Sequence, residues 1–226
     1  MAIPSSIRRG IAALAAVAAL GVTAPAQSTT LTVSGFTNGS LPFQINLAPP
    51  PVFNPISAGG FDGNFGGTPI NLWCYDLYHA FGFGNSMNYM ASVLDTSGLL
   101  AKLFTEVALA TRTSTTVNSA AFQLSIWEIL YDSSSLDVSS GGFSVTGDAA
   151  AIMQANIWLA GLAATVANDT VILLASLENP QTQNFVTDSP VPSRLLVPEP
   201  TSLPLLGLGL VAMFFVARRR SGAGAR

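Results

Sequence analysis

Charge is scarce in this chain, and so are the residues that carry most enzymatic chemistry. Only 9% of its 226 residues are Asp, Glu, Lys or Arg, and it has one histidine and one cysteine. A single cysteine excludes an intrachain disulfide. One His, one Cys and scattered Asp are too few to suggest a transition-metal site, so neither metal nor cofactor is expected. Gly59-Gly60 and Gly66-Gly67 are not followed by Gly-Lys-Ser/Thr, which removes the phosphate-loop reading. Asp62-Gly63-Asn64 lacks the rest of a calcium-binding loop and reads as a turn. The few cations are also unevenly placed. Between residues 27 and 200 there are three, Lys102, Arg112 and Arg194, against all twelve acids, a net charge of minus nine. A surface so acidic argues against nucleic acid, whose phosphates demand Lys and Arg. Low lysine content also leaves few internal amines to meet any electrophile the protein carries.

The remaining cations sit at the two ends. Arg8 and Arg9 precede an apolar run from Ile11 to Val22, then Ala24-Pro25-Ala26. Positive segment, short apolar segment and small-residue cleavage site, in that order, read as a signal peptide over residues 1–26, cut after Ala26. At the other end Pro198-Glu199-Pro200 leads into an apolar stretch from Leu203 to Ala217, followed by Arg218, Arg219 and Arg220. Basic residues stay on the cytoplasmic side, so the tail is expected to insert with the main domain outside. Fifteen helical residues cover about 22 Å, short of the roughly 30 Å hydrocarbon core, and Gly207 and Gly209 weaken the helix further. That suits a temporary hold better than a permanent anchor.

Pro198-Glu199-Pro200, the apolar helix and the arginine cluster resemble the PEP-CTERM sorting signal of Gram-negative bacteria. The resemblance implies an exosortase as processing partner, transient insertion in the inner membrane, and release to or attachment at the cell surface or extracellular matrix.

Between the ends, about Gln27 to Val197 is enough for one domain. The chain divides into a signal peptide (1–26), the domain proper (27–187), a proline-rich linker with the PEP motif (188–202) and the sorting helix with its arginine-rich end (203–226). Leu31 to Val33 and Phe43 to Leu47 alternate as strands, and Ile70 to Tyr78 reads as a strand crossing the core. Pro49-Pro50-Pro51 and Gly59-Gly60 read as loops. Ser97 is placed to cap a helix from Gly98 to about Ala110, with Leu99, Leu103, Phe104 and Val107 as its apolar stripe. A second helix is expected from about Ser119 to Tyr131, and a third from Ala149, capped by Asp148, to about Val166. Leu136 to Val145 reads as a hairpin, Val171 to Ala175 as a buried strand, and Phe185-Val186 as a last strand. No repeat of roughly 20 to 50 residues is present. The pattern predicts an α+β fold: an antiparallel β-sandwich or barrel-like sheet with a grouped helical subdomain of three main helices.

Cys74 is where chemistry must be sought, because a lone thiol on the oxidising side of a membrane tends to pair or oxidise. Three readings stand. It is a buried inert thiol between Trp73 and Tyr75 on a core strand. Or it is a nucleophile, which needs a base. The lone histidine, His79, lies five residues on, and on a strand that odd spacing sets the two on opposite faces. Or the sulfur is committed to another bond. The second helix offers a candidate: Gln123, Trp127 and Leu130 share a face, so Gln123 falls in an apolar arc where its amide needs a partner, either the sulfur or, as an ordinary core glutamine, backbone.

Trp73-Cys74-Tyr75-Asp76 and Phe122-Gln123-Leu124-Ser125-Ile126-Trp127 resemble the two signatures of bacterial thioester domains. In that family a Cys sulfur and a Gln side-chain carbonyl join with loss of ammonia. The resemblance implies an internal Cys74–Gln123 thioester. Water would compete for such a bond, so it should sit in a partly dry pocket, for which Trp73, Tyr75 and Trp127 are suitable walls, and Tyr75 and His79 are the candidates to assist proton transfer. It further implies a single-use covalent binder rather than a turnover enzyme. The partner would be a surface protein or polysaccharide bearing an amine or a hydroxyl. The alternative is a non-reactive structural protein of the exopolysaccharide or biofilm matrix.

Overall fold

A computed structural model describes residues 28–51, 53–94, 98–163 and 174–191, all within one compact unit that runs from Gln27 to Leu196. The expected signal peptide, the sorting helix, Ser97, the stretch around Val166 and residues 171–173 lie outside the described residues. No described helix is long and apolar enough to cross a membrane.

Among the described residues, nine strands form two antiparallel sheets. Strands β1 (Ser28–Phe36), β4 (Phe61–Phe65), β5 (Thr68–Cys74), β9 (Phe185–Thr187), β8 (Ala175–Glu178) and β6 (Ser86–Val93) pair in that order and close into a barrel. Strands β3 (Ile56–Ala58), β2 (Leu41–Asn46) and β7 (Ser144–Gly147) form a separate three-stranded sheet. Alternation explains them. Leu31 and Val33 in β1, and Phe43 and Ile45 in β2, are buried while most of their neighbours are not. The expected barrel-like antiparallel sheet is present, with the strands at residues 31, 43 and 185 where the sequence puts them.

β4 corrects the reading of Asp62-Gly63-Asn64 as a turn. Phe61, Gly63 and Phe65 point inward and Asp62 and Asn64 outward, the period of a strand. The inward glycine hid that period. It is there because a Cβ on Gly63 would meet Leu72 Cδ1 at 2.7 Å. Leu136 to Val145 is likewise not a hairpin. Its turns are held by Asp132, Asp137 and Asn156 side chains, with Glu128 Oε1 accepting from Ser135 Oγ and Asp137 N. Its far end, as β7, pairs with β2.

The described residues hold four helices, all between β6 and β8 in the chain and three of them of some length: α1 (Leu99–Glu106), the short α2 (Leu109–Arg112), α3 (Thr116–Tyr131) and α4 (Ala149–Gly161). The single helix expected over 98–110 breaks at Val107, which is extended. The break turns Arg112 inward, where its Nη1 donates to the Val107 carbonyl at 2.9 Å. Asp148 caps α4 as expected, accepting from Ala151 N, and Thr115 caps α3 by accepting from Asn118 N. α3 is the axis of the helical group. Every residue from Ser119 to Ile129 is buried, because the other three helices and strands β2, β3 and β5 surround it. The chain's close approach is seen at Gly60, whose N–H donates to Ser119 Oγ of α3 and where a Cβ would strike the Trp73 ring at 2.6 Å.

Arg112 is fully buried and stacked near three rings, with its guanidinium carbon 4.7 Å from the Phe104 centroid, 4.9 Å from Phe122 and 5.9 Å from Trp73. Its Nη2 meets both carboxylate oxygens of Asp188 at 2.5 Å. Burial lowers the guanidinium pKa, and Asp188 opposes that shift. Asp188 therefore belongs to the domain and is not the start of a linker. Ser189, bonded to Asn71 N, and the buried Val191 extend the domain further. Because Asp188 directly follows β9, the ion pair ties that strand to the helices. Asp188→Ala leaves a buried cation unpaired and should lower unfolding free energy by about 3–5 kcal/mol in urea denaturation, whereas Arg112→Met with Asp188→Leu should cost much less.

Candidate functional site

Cys74 is the last residue of β5, and the strand's end decides what surrounds it. Cys74 pairs with Phe185 of β9, and one step on Tyr75 N donates to the Asn184 carbonyl at 2.8 Å. The chain then turns. Asp76 holds the turn with its carboxylate: Oδ1 accepts from Tyr78 N at 2.9 Å and His79 N at 3.0 Å, and Oδ2 accepts from Asn184 N at 3.0 Å. Tyr131, the last residue of α3, accepts from Leu77 N with its hydroxyl, and Thr182 donates to the Ala80 carbonyl. The 75–80 loop and the 179–184 turn are thereby strapped together beside the sulfur.

Two glutamines converge on Cys74. Gln123 comes from the middle of α3 and is fully buried. Its Oε1 accepts from Cys74 N at 2.7 Å and its Nε2 donates to the Cys74 carbonyl at 2.9 Å. The carboxamide that α3 buries has thus found the partner its position demanded. That partner is the cysteine's backbone and not its sulfur, which corrects the expected Cys74–Gln123 pairing. The amide at the sulfur belongs to Gln183, in the turn just before β9. Gln183 Nε2 contacts Cys74 Sγ and also donates to the Asp76 carbonyl at 3.2 Å, while the thiol donates to that same carbonyl at 2.8 Å. The Gln183 backbone carbonyl is fixed by the Tyr89 hydroxyl at 2.9 Å.

A cavity of about 330 Å³ opens onto this junction. Cys74, Gln183, Trp127, Leu77 and His79 line it together with a collar of Phe36, Phe53, Phe61, Phe81 and Phe83. Of the three expected walls only Trp127 is one. Trp73 points to the other side of β5 and packs on Phe122, with ring centroids 4.6 Å apart, and Tyr75 is half-buried away from the cavity. His79 does reach the cavity. The strand-face reasoning that separated it from Cys74 fails because β5 has already ended. Its Nδ1 lies 3.2 Å from Asp76 Oδ1.

Burial dominates the electrostatics and pushes the Cys74 thiol up to about 12. The Trp127 indole N–H lies by the sulfur at no regular hydrogen-bond geometry and pulls the other way, as does Gln183, while the Asp76 charge adds to the rise. Burial also raises Tyr131, and it raises Tyr75 with a further push from Glu178. A thiol raised this far is held as the neutral form, which disfavours the reading of Cys74 as a base-activated nucleophile for turnover chemistry. Among the described residues no three His, Cys, Asp or Glu side chains gather to hold a metal.

Residues 196–220 match the PEP-CTERM protein-sorting motif. That motif implies export, sorting to the cell surface and processing by an exosortase. Curated proteins give no match. The fold is similar to the N-terminal thioester domain of the fibronectin-binding protein SfbI from Streptococcus pyogenes, at 15% identity and a TM-score of 0.42 over 69% of this chain and 95% of that one. It is also similar to the N-terminal thioester domain of a surface protein from Clostridium perfringens, at 14% identity and a TM-score of 0.37 over 67% of this chain and 99% of that one.

Sequence reasoning missed Gln183. Nothing in its local pattern separates it from the other five glutamines, and the single available signal was its place in a polar turn just ahead of the Phe185-Val186 strand. Two measurable consequences follow from the geometry. Gln123→Ala orphans the buried N–H and carbonyl of Cys74 and should destabilise the domain by about 2–4 kcal/mol in urea denaturation. In a Gln183→Ala protein the thiol is free. Its raised pKa contributes stability that is complete below the ordinary thiol value of 9.0 and is lost as pH rises through about 12. Relative to a Cys74→Ala/Gln183→Ala double variant, unfolding free energy should fall above pH 9 by up to about 1.4 kcal/mol per unit.

Proposed function

We propose that this chain is an exported surface protein that attaches covalently to a partner through an internal thioester between Cys74 and Gln183. The observation that carries the reading is the contact of the Gln183 carboxamide with the Cys74 sulfur at the floor of an apolar cavity. The thiol adds to the Gln183 side-chain carbonyl carbon, and ammonia leaves. The product stores an acyl group on sulfur, a better leaving group than an amide nitrogen.

The surroundings support this. Gln123 fixes the cysteine's backbone, so the sulfur is presented from a rigid strand end. The Asp76 carbonyl sits beside both reacting groups, where it can take the thiol proton's hydrogen bond and orient the amide nitrogen that departs. The phenylalanine collar limits the access of water, the competing acceptor. An external nucleophile entering the cavity attacks the Gln183 carbonyl carbon and expels the Cys74 sulfur. A bond to the partner replaces the bond to sulfur, and the protein is consumed in one event. The PEP-CTERM motif supports a site of action at the cell surface.

Intact mass tests the reading. The mature protein should weigh about 17 Da less than its sequence, the mass of ammonia. Cys74→Ala and Gln183→Ala should each restore full mass, and methylamine should add at Gln183 and release a titratable thiol. A folded Gln123→Ala protein should keep the deficit. Full mass with a free thiol from the outset would instead leave a non-reactive matrix protein.

A further inference from the structure

The cavity that holds Cys74 and Gln183 also holds the chain's one histidine, and that histidine is oriented. Asp76 Oδ1 lies 3.2 Å from His79 Nδ1. In the neutral imidazole this contact has Nδ1–H donating to the carboxylate, which leaves Nε2 with its lone pair. The ring is 45% exposed and forms part of the cavity wall. Asp76 links the two halves of the arrangement. Its carboxylate holds the imidazole, and its backbone carbonyl receives the Cys74 thiol and the Gln183 amide.

From this we infer that His79, positioned by Asp76, is the proton acceptor for an incoming alcohol, and that the site's acceptor class is a hydroxyl rather than an amine. The inference rests on the Cys74–Gln183 thioester. A neutral amine attacks an acyl carbon with its own lone pair and sheds a proton afterwards. An alcohol is a poor nucleophile unless a base takes its proton as the bond forms. An imidazole held in the wall of the cavity that Gln183 also lines therefore accelerates the second class far more than the first. The step balances: the alcohol proton passes to Nε2, oxygen bonds the Gln183 carbonyl carbon, the carbon–sulfur bond breaks, and the proton goes from the imidazolium to sulfur. That last transfer matters here, because burial makes a bare Cys74 thiolate costly. The product is an ester and a thiol. The same base serves water, and the exposed Phe53 and Phe83, the latter packed edge-on against Phe81, make that part of the cavity lining apolar.

The test sets glycerol against methylamine on the full-length protein, with mass spectrometry reading ester, amide and hydrolysed product. The wild-type protein should yield glycerol ester at Gln183. In His79→Ala and in His79→Gln the glycerol rate should fall about a hundredfold, with a much smaller fall for methylamine, so that the ester-to-amide ratio collapses. Spontaneous hydrolysis should slow as well. If both acceptors slow equally while the mass deficit persists, His79 is only structural and this inference is wrong. It is equally wrong if glycerol reacts as fast without the imidazole, or if the wild-type protein forms amide and no ester. A wild-type protein without the deficit removes the thioester first, and this inference with it.

Discussion

One buried carboxamide holds the site in place. Gln123 spends its acceptor on the Cys74 N–H and its donor on the Cys74 carbonyl, both inside the core. Strand β5 could have met these groups with another strand, but there it runs out. Its ladder to β9 covers only two residue pairs before the chain turns at Asp76. A side chain from α3 thus meets Cys74 on the edge left open where the β4 pairing stops at Leu72, while β9 pairs it on the other edge. Leaving those two backbone groups unpaired would cost more than the bonds themselves contribute, so the position of Cys74 is fixed by necessity. This fixes the sulfur against the helix that supplies Trp127.

The second anchor acts on the other side of the junction. Gln183 stands in a turn whose course is set at both ends. Thr182 and Asn184 bind the 75–80 loop, and Asp188, just beyond β9, is held by a guanidinium among three aromatic rings. The Arg112–Asp188 pair lies well along the chain from the sulfur, yet it sets the strand from which Gln183 projects. A polar junction built this way keeps its geometry without relying on the reacting atoms to hold one another. That order suits a bond that forms after folding and is later broken by a partner: opening it does not remove what placed the groups.

Much of this was visible in the sequence, and the misses have physical causes. That the glutamine of α3 is buried and needs a partner was legible because an amide there falls in an apolar arc, whereas its link to Cys74 came from the resemblance to thioester domains. Helical periodicity gave the arc. What periodicity cannot give is which atoms of that partner are met, and both backbone groups of a strand end outrank a sulfur as hydrogen-bonding partners. Gln183 was illegible because its role comes from barrel closure, which brings β9 beside β5 across more than a hundred residues of chain. His79 was separated from Cys74 on the assumption that β5 continued to Tyr78, whereas Asp76 ends it. Asp62-Gly63-Asn64 looked like a turn because its residue types are turn residues. Inside a barrel wall the glycine is demanded by Leu72 opposite it, and the polar residues simply face out.

The charge distribution acquires a meaning once the site is placed. A stored acyl electrophile reacts with whatever nucleophile arrives, and the first candidates are the protein's own. The sequence contains a single lysine, Lys102, half-buried on α1, and Arg112 is fully buried and engaged. Guanidinium groups stay protonated and do not attack acyl carbons at ordinary pH. A second copy of the domain therefore brings one side-chain amine to the cavity, against an acidic surface whose carboxylates are weak competitors for an acyl group. Scarcity of lysine thus protects such a bond from self-attachment by composition, while the phenylalanine collar slows water by exclusion. Under the proposed function, both leave the bond to an acceptor that can enter an apolar mouth and give up its proton to His79.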